Sequence, residues 1–179
     1  KKIVENENEV IHFKTILTEV VKDLHLYAPI YEKDRLISRP AYITSPVTAE
    51  LSQPDSLIPA KEIPFTFSSS HNDVSIANQH YPLDQWLNTT WGLIRFTNNP
   101  LYHGPSGTYQ YYLSLIAVKK AVNDLADRLD VSASGKLSSV IDLTLNDAVP
   151  ERGEAIVDDV INVYNHISIA DKNQLAANT

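Results

Sequence analysis

Proline placement constrains this chain more than any other feature. Pro40, Pro46, Pro54, Pro59, Pro64, Pro82, Pro100 and Pro105 are eight of its ten prolines, and they punctuate one continuous stretch. Proline has no backbone N–H and a fixed φ, so it breaks helix interiors and avoids central strand positions. A stretch cut this often holds no long helix. Between the prolines lie the runs "PVTAELS", "IPFTFSSS", "DVSIAN" and "WGLIRFTNN". They are β-type fragments bounded by turn residues. We expect a meander or small antiparallel sheet from Ser38 to about Tyr109, with "NNPLYHGPSGTY" as its most turn-rich loop.

The flanks read differently. "ENENEVIHFKTILTEVVKDLHL" places Val10, Phe13, Leu17, Val20, Val21 and Leu24 at helical spacing, with Asn6 or Asn8 as cap. "YAPIYEK" follows as a short strand, and Pro29 predicts a sheet edge or a strand start. "YYLSLIAV", Tyr111–Val118, reads as a buried strand. "KKAVNDLADRLDV" returns to helical period, with Ala121, Val122, Leu125 and Leu129 on one face. "SSVIDLTLND" alternates, Ile141, Leu143 and Leu145 opposing Val140, Asp142 and Thr144.

Pro150 then suits the first turn of a helix, and Glu151 and Glu154 suit its positive end. Ile156, Val160, Val163 and Ile167 mark a long stripe. The order predicts an α+β fold: a small antiparallel or mixed sheet packed against two or three helices, ending in a long helix. At 179 residues the expectation is a single domain, 1–179. No Met stands at position 1 and no stop signal follows Gly153. Both lead us to expect an excised piece of a longer protein, its last helix cut short.

Charge and composition exclude several function classes. The net charge is −7, without the clustered Lys and Arg that a nucleic-acid backbone requires, so no nucleic-acid partner is expected. The same balance argues against charge-driven binding to anionic membranes. Cysteine is absent, which removes disulfides, zinc–cysteine sites and thiol nucleophiles. No apolar run approaches the ~18 residues of a membrane span.

Tempting motifs fail on chemistry. Gly135-Lys136 mimics the end of a phosphate-binding loop, but Asp130 and Leu137 occupy positions where that loop needs glycine and a magnesium-holding hydroxyl. His71, Asp73 and His80 suggest a metal site, yet a turn-like stretch separates His80 from the others. His12, His25, His103 and His166 are isolated, and Ser106 near His103 lacks a nucleophile elbow. The acidic residues Glu151, Glu154, Asp158 and Asp159 read as the start and face of a helix rather than a glycosidase pair. Tyr109 and Tyr111 share a strand face beside Tyr112, and sheet packing explains them first. No cofactor and no catalytic constellation is expected.

Two stretches carry a resemblance. "EVIHFKTILTEVVKDLHLYAPIY", Glu9–Tyr31, is similar to the opening of the Wzz-type chain-length determinant domain. "VNDLADRLDVSASGKLSSVIDLTLNDAVPERGEAIVDDVINVYNHISIADKN", Val122–Asn173, resembles the closing half of that domain. The run "IDLTLNDAVPERGEAIVDDVINVYN" is most similar to the Wzc-like polysaccharide co-polymerases joined to a tyrosine autokinase. The stretch Ser38–Tyr109 lies outside the resemblance.

The resemblance implies a non-catalytic periplasmic domain held between two inner-membrane helices. It implies homo-oligomeric rings and partnership with a polysaccharide polymerase and an outer-membrane exporter, in contact with the growing glycan. It implies control of O-antigen, capsule or exopolysaccharide length, any kinase module lying in the cytoplasm. For interaction we single out Glu154, Asp158 and Asp159 on the last helix, and Tyr102, Tyr109 and Tyr111 around the turn-rich loop. The alternative expectation is a carbohydrate-binding β-rich domain using Trp86, Trp91 and the tyrosines.

Overall fold

The computed structural model describes residues 7–33, 37–105, 107–133 and 140–177. The chain divides into two compact units, Lys1–Leu24 with Val122–Thr179, and His25–Ala121. The fold is α+β, with antiparallel sheets and a long C-terminal helix. The Asn6 cap, Ser106 and the Gly135-Lys136 turn lie outside the described residues. Asn8 lies inside the first helix.

Among the described residues the unit His25–Ala121 holds nine strands: β1 (Ile30–Lys33), β2 (Ser38–Pro40), β3 (Val47–Leu51), β4 (Ala60–Ser68), β5 (Asp73–Ile76), β6 (Gln79–Pro82), β7 (Leu87–Thr89), β8 (Gly92–Asn98) and β9 (Thr108–Leu115). A 3₁₀ turn at Pro54–Ser56 follows β3. Six strands form one antiparallel sheet in the order β2-β1-β9-β4-β5-β6, and three form another in the order β3-β8-β7.

Alternation explains how the two sheets meet. Ile63, Phe65, Phe67, Tyr111 and Leu113 face one side of the larger sheet and are buried. Val47, Ala49, Leu51, Ile94 and Phe96 do the same on the smaller sheet. Phe96 joins them, its ring centroid 5.9 Å from Phe65 and 6.0 Å from Tyr81. On the other side of the small sheet, Glu50 pairs with Arg95 across the β3–β8 register, and the Thr48 and Thr97 hydroxyls hydrogen-bond.

The prolines sit where the backbone tolerates them. Pro64 lies inside β4, but β5 pairs only with Thr66–Ser68, so no ladder bond is lost on that side. Pro29 precedes β1, the second of the two positions expected for it. The edge reading is corrected: β1 is an inner strand between β2 and β9. Ordering β2 against it, Tyr31 to Pro40, creates that arrangement.

β5 and β6 form a hairpin over Ala77-Asn78, both with positive φ, +48° and +66°. This suits the right-handed twist of the flanking strands, but the left-handed region costs a residue with a Cβ about 1–2 kcal/mol. Glycine avoids that cost and adds about 0.4–1 kcal/mol of unfolded-state entropy. Ala77→Gly is therefore expected to stabilise by about 0.5 kcal/mol. A melting temperature equal to or below that of the parent would contradict it.

The other unit contains α1 (Glu7–Asp23), the Val122–Arg128 part of α2 (Val118–Arg128), β10 (Leu129–Ala133), β11 (Ile141–Leu145) and α3 (Pro150–Ala177). α1 and α3 pack together. Leu17, Val20 and Val21 of α1 and Ile156 and Val160 of α3 are buried as the helical spacing predicts. Phe13, Leu24, Val163 and Ile167 of the same stripes are half-buried, and Ile16 joins the buried face. α3 begins at Pro150.

One helical reading is corrected. Leu129 does not extend α2, and "LDVSA" is strand β10, paired residue for residue with β11 from Leu129–Leu145 to Ala133–Ile141. Leu129 is buried in either geometry, so its apolarity alone cannot separate them. The cross-strand partners decide it. Among the described residues no helix is long and apolar enough to cross a membrane.

Candidate functional site

The larger sheet presents a cross-strand row, Arg39–Glu32–Tyr111–Phe65, built from β2, β1, β9 and β4. Residues directly opposite share a face. Phe65 and Tyr111 are buried and stacked at 5.8 Å. Beyond Tyr111 the row continues into half-buried Glu32 and exposed Arg39. Tyr109, two residues from Tyr111, lies on the same face.

Two loop segments, Ile43–Thr44 and Leu101–Pro105, complete an open hollow of about 730 Å³ over this end of the sheet. The tyrosines are held by their hydroxyls. Tyr102 and Tyr109 both donate to the Pro105 carbonyl, at 2.8 and 2.7 Å. Tyr111 donates to the Thr44 carbonyl at 2.8 Å. The Tyr102 and Tyr109 rings meet edge to face, 6.4 Å apart. Burial, then the Tyr109 hydroxyl and nearby Glu32, push the Tyr102 phenol up to about 12. Burial first, then Glu32 and the neighbouring phenols, also push Tyr111 up.

The glycines of "HGPSG" acquire a reason. A Cβ on Gly104 would stand 2.4 Å from the Tyr102 hydroxyl oxygen, and one on Gly107 3.1 Å from that of Tyr109. The loop is glycine-rich where the phenols lie across it.

The expected pair Tyr109 and Tyr111 is brought together with Tyr102. Tyr112 points to the opposite face and stacks on Tyr31 at 5.1 Å. Glu32 and Arg39 escaped the sequence reading. The alternation in "YAPIYEK" hints at Glu32, but only the strand order places it beside Tyr111.

The remaining candidates fall elsewhere. Trp86 is 39% exposed, with the Arg95 guanidinium over its ring at 4.6 Å, so that face is already occupied. Trp91 is half-buried. His80 Nδ1 lies 2.6 Å from Asp73 across the hairpin, while His71 bonds Ser68 and Ser70 instead. Among the described residues no three His, Asp or Glu side chains converge as a metal site.

Helix α3 separates its acidic residues. Glu154 and Asp158 are exposed and line a shallow hollow with Leu145, Pro150 and Val157. Asp159 turns elsewhere. Its Oδ2 is buried and has no hydrogen-bond partner among the described residues. Burial, then the charge of Asp23 on α1, raises its pKa above the ordinary 3.8.

A raised carboxyl stabilises the fold fully below the ordinary value and loses that contribution as pH climbs to the raised one. Asp159→Asn is therefore expected to stabilise at neutral pH by about 0.5–1 kcal/mol and to have little effect at pH 3. Urea unfolding at both pH values checks this. Equal shifts would count against it.

Asp147 is the carboxylate that the sequence reading passed over. Its side chain is 2% exposed. Arg152 Nη2 bonds Oδ1 at 2.7 Å, and its Nε lies 3.0 Å from Oδ2. Arg128 Nη1 bonds Oδ2 at 2.7 Å, and the Val149 N–H donates to Oδ1 at 2.8 Å. Burial alone would raise its pKa, but the donors from Arg152, Val149 and Arg128 outweigh it and hold it below the ordinary value. "NDAVPERG" carries the signal: an aspartate three residues ahead of a helix-starting proline, with arginine two beyond it.

No family model matches this chain, and no curated protein matches it.

Proposed function

We propose that this chain is a non-catalytic periplasmic domain of a polysaccharide co-polymerase of the chain-length-determinant kind. It works within an inner-membrane homo-oligomer beside a polymerase and an outer-membrane exporter, and regulates the length of a capsule, exopolysaccharide or O-antigen.

One observation carries this reading. Most of the first resembling stretch and all of the second lie at opposite ends of the sequence, yet they fold as one compact unit, Lys1–Leu24 with Val122–Thr179. Segments similar to the two halves of one domain are expected to fold together if they are halves of one domain. The proline-rich β unit is then an elaboration carried between them.

The test is genetic. In cells that make the full-length protein, replacing this chain by a flexible linker is expected to change the modal length of the surface polysaccharide, read as a shifted ladder on a gel. The intact gene restores the ladder. An unchanged ladder and yield would overturn the proposal.

A further inference from the structure

We infer that the hollow walled by Tyr102, Tyr109 and Tyr111 with Glu32 and Arg39 is a binding site for a neutral, hydroxyl-rich saccharide. This goes beyond the co-polymerase reading, which implies contact with the growing glycan but assigns no sugar site to the β unit.

Size and shape come first. About 730 Å³ lies within the ~300–1,000 Å³ range of small-ligand sites. The hollow is open on one side, so a chain can lie across it without threading.

The chemistry of the walls selects the ligand. A pyranose presents flat patches of C–H groups and an edge of hydroxyls that both donate and accept. Aromatic side chains with a polar tip match that mixture. Here the phenols spend their protons on Pro105 and Thr44. Their oxygens are left as acceptors, and their rings are fixed before any ligand arrives, which lowers the ordering cost of binding.

Glu32 supplies a carboxyl acceptor and Arg39 a forked donor, side by side in register. Among the described residues no hydrogen bond or ion pair occupies the Glu32 carboxylate. An apolar ligand would bury that carboxylate without a partner. A polyanion would meet it head-on, on a chain of net charge −7. Neutral hydroxyls satisfy both charges.

The glycines supply a handle on the site that leaves the core alone. Gly104→Ala forces the Tyr102 phenol from its seat, because the three atoms nearest the added Cβ all belong to the far end of that side chain.

The experiment is a panel of immobilised linear oligosaccharides, neutral (gluco-, manno- and galacto-configured) and acidic (hexuronate), probed with the intact chain. Hits are followed by titration calorimetry. Binding to a neutral member is expected. Glu32→Gln and Gly104→Ala should each weaken it about tenfold, the equivalent of 1.4 kcal/mol, while keeping the parent melting temperature. Trp86→Ala should leave it unchanged.

Binding to acidic members alone, to no member, or with unchanged affinity in both hollow variants would overturn the assignment. Loss of binding in Trp86→Ala alone would move the site to the tryptophan. These outcomes leave the polysaccharide ladder untouched, so the two proposals fail separately.

Discussion

Asp147→Ala is expected to destabilise its unit by about 3 kcal/mol, the range for removing one partner of a buried ion pair. The carboxylate is 2% exposed and holds two arginines, of which Arg152 is 16% and Arg128 37% exposed. Removing it strands Arg152 in a poorly solvated position. Arg128 is partly in water, so its share is screened and smaller. The substitution also removes the acceptor for the Val149 N–H, one of the unpaired donors at the start of α3.

Domain stabilities run ~5–15 kcal/mol, so a loss of this size is a large fraction of the total. The pH dependence has a definite sign. The folded carboxyl titrates below the ordinary 3.8, so its contribution is present above that value and is lost as pH falls through the depressed one. Asp147→Asn should flatten this acid limb while costing less than alanine. Urea midpoints between pH 2.5 and 6 read both effects. A full-strength acid limb in Asp147→Asn would sink the assignment.

Phe96→Ala is expected to cost the β unit about 3–5 kcal/mol, the range for truncating a buried phenylalanine. Phe96 is 1% exposed and lies against Phe65 of the larger sheet and Tyr81 of β6. The lost ring leaves a cavity between two sheets whose backbones cannot collapse onto it. Phe96→Leu, which refills most of the volume, should recover more than half of the loss. Denaturant unfolding followed by near-ultraviolet circular dichroism would report both. A loss under 1 kcal/mol would mean that the sheets are joined elsewhere.

Much of the architecture is legible because it is local. Period 3.6 in Leu17, Val20 and Val21, and again in Ile156 and Val160, marks helices whose buried stripes are found where spacing puts them. Pro150 opens α3 because a missing N–H costs nothing there. The frequent prolines and turn residues limit the middle to short strands. Tyr109 and Tyr111 share a face by period 2 alone.

β10 was misread for the opposite reason. Leu129 satisfies helical spacing and strand burial equally, and its partner Leu145 lies 16 residues further along the sequence. The turn-like stretch between Asp73 and His80 reads as a separation, yet a two-residue hairpin over Ala77-Asn78 folds it back and brings the two side chains to 2.6 Å.

The sequence by itself determined most element types, β10 being the exception, together with the α+β class and the acidic balance. These follow from hydrogen-bond geometry and side-chain period within a few residues. Strand order was decided only in three dimensions. Sequence neighbours do not set it, because an antiparallel sheet can be completed in several orders at similar local cost. Placing β9 between β1 and β4 is what sets Glu32 beside Tyr111 and opens the hollow. Folding the ribbon back toward α3 is what turns Asp147 from a loop aspartate into the partner of Arg128 and Arg152. Both arrangements rest on contacts between residues far apart in the chain. Their energies come from burial and charge pairing, which no single window of sequence contains.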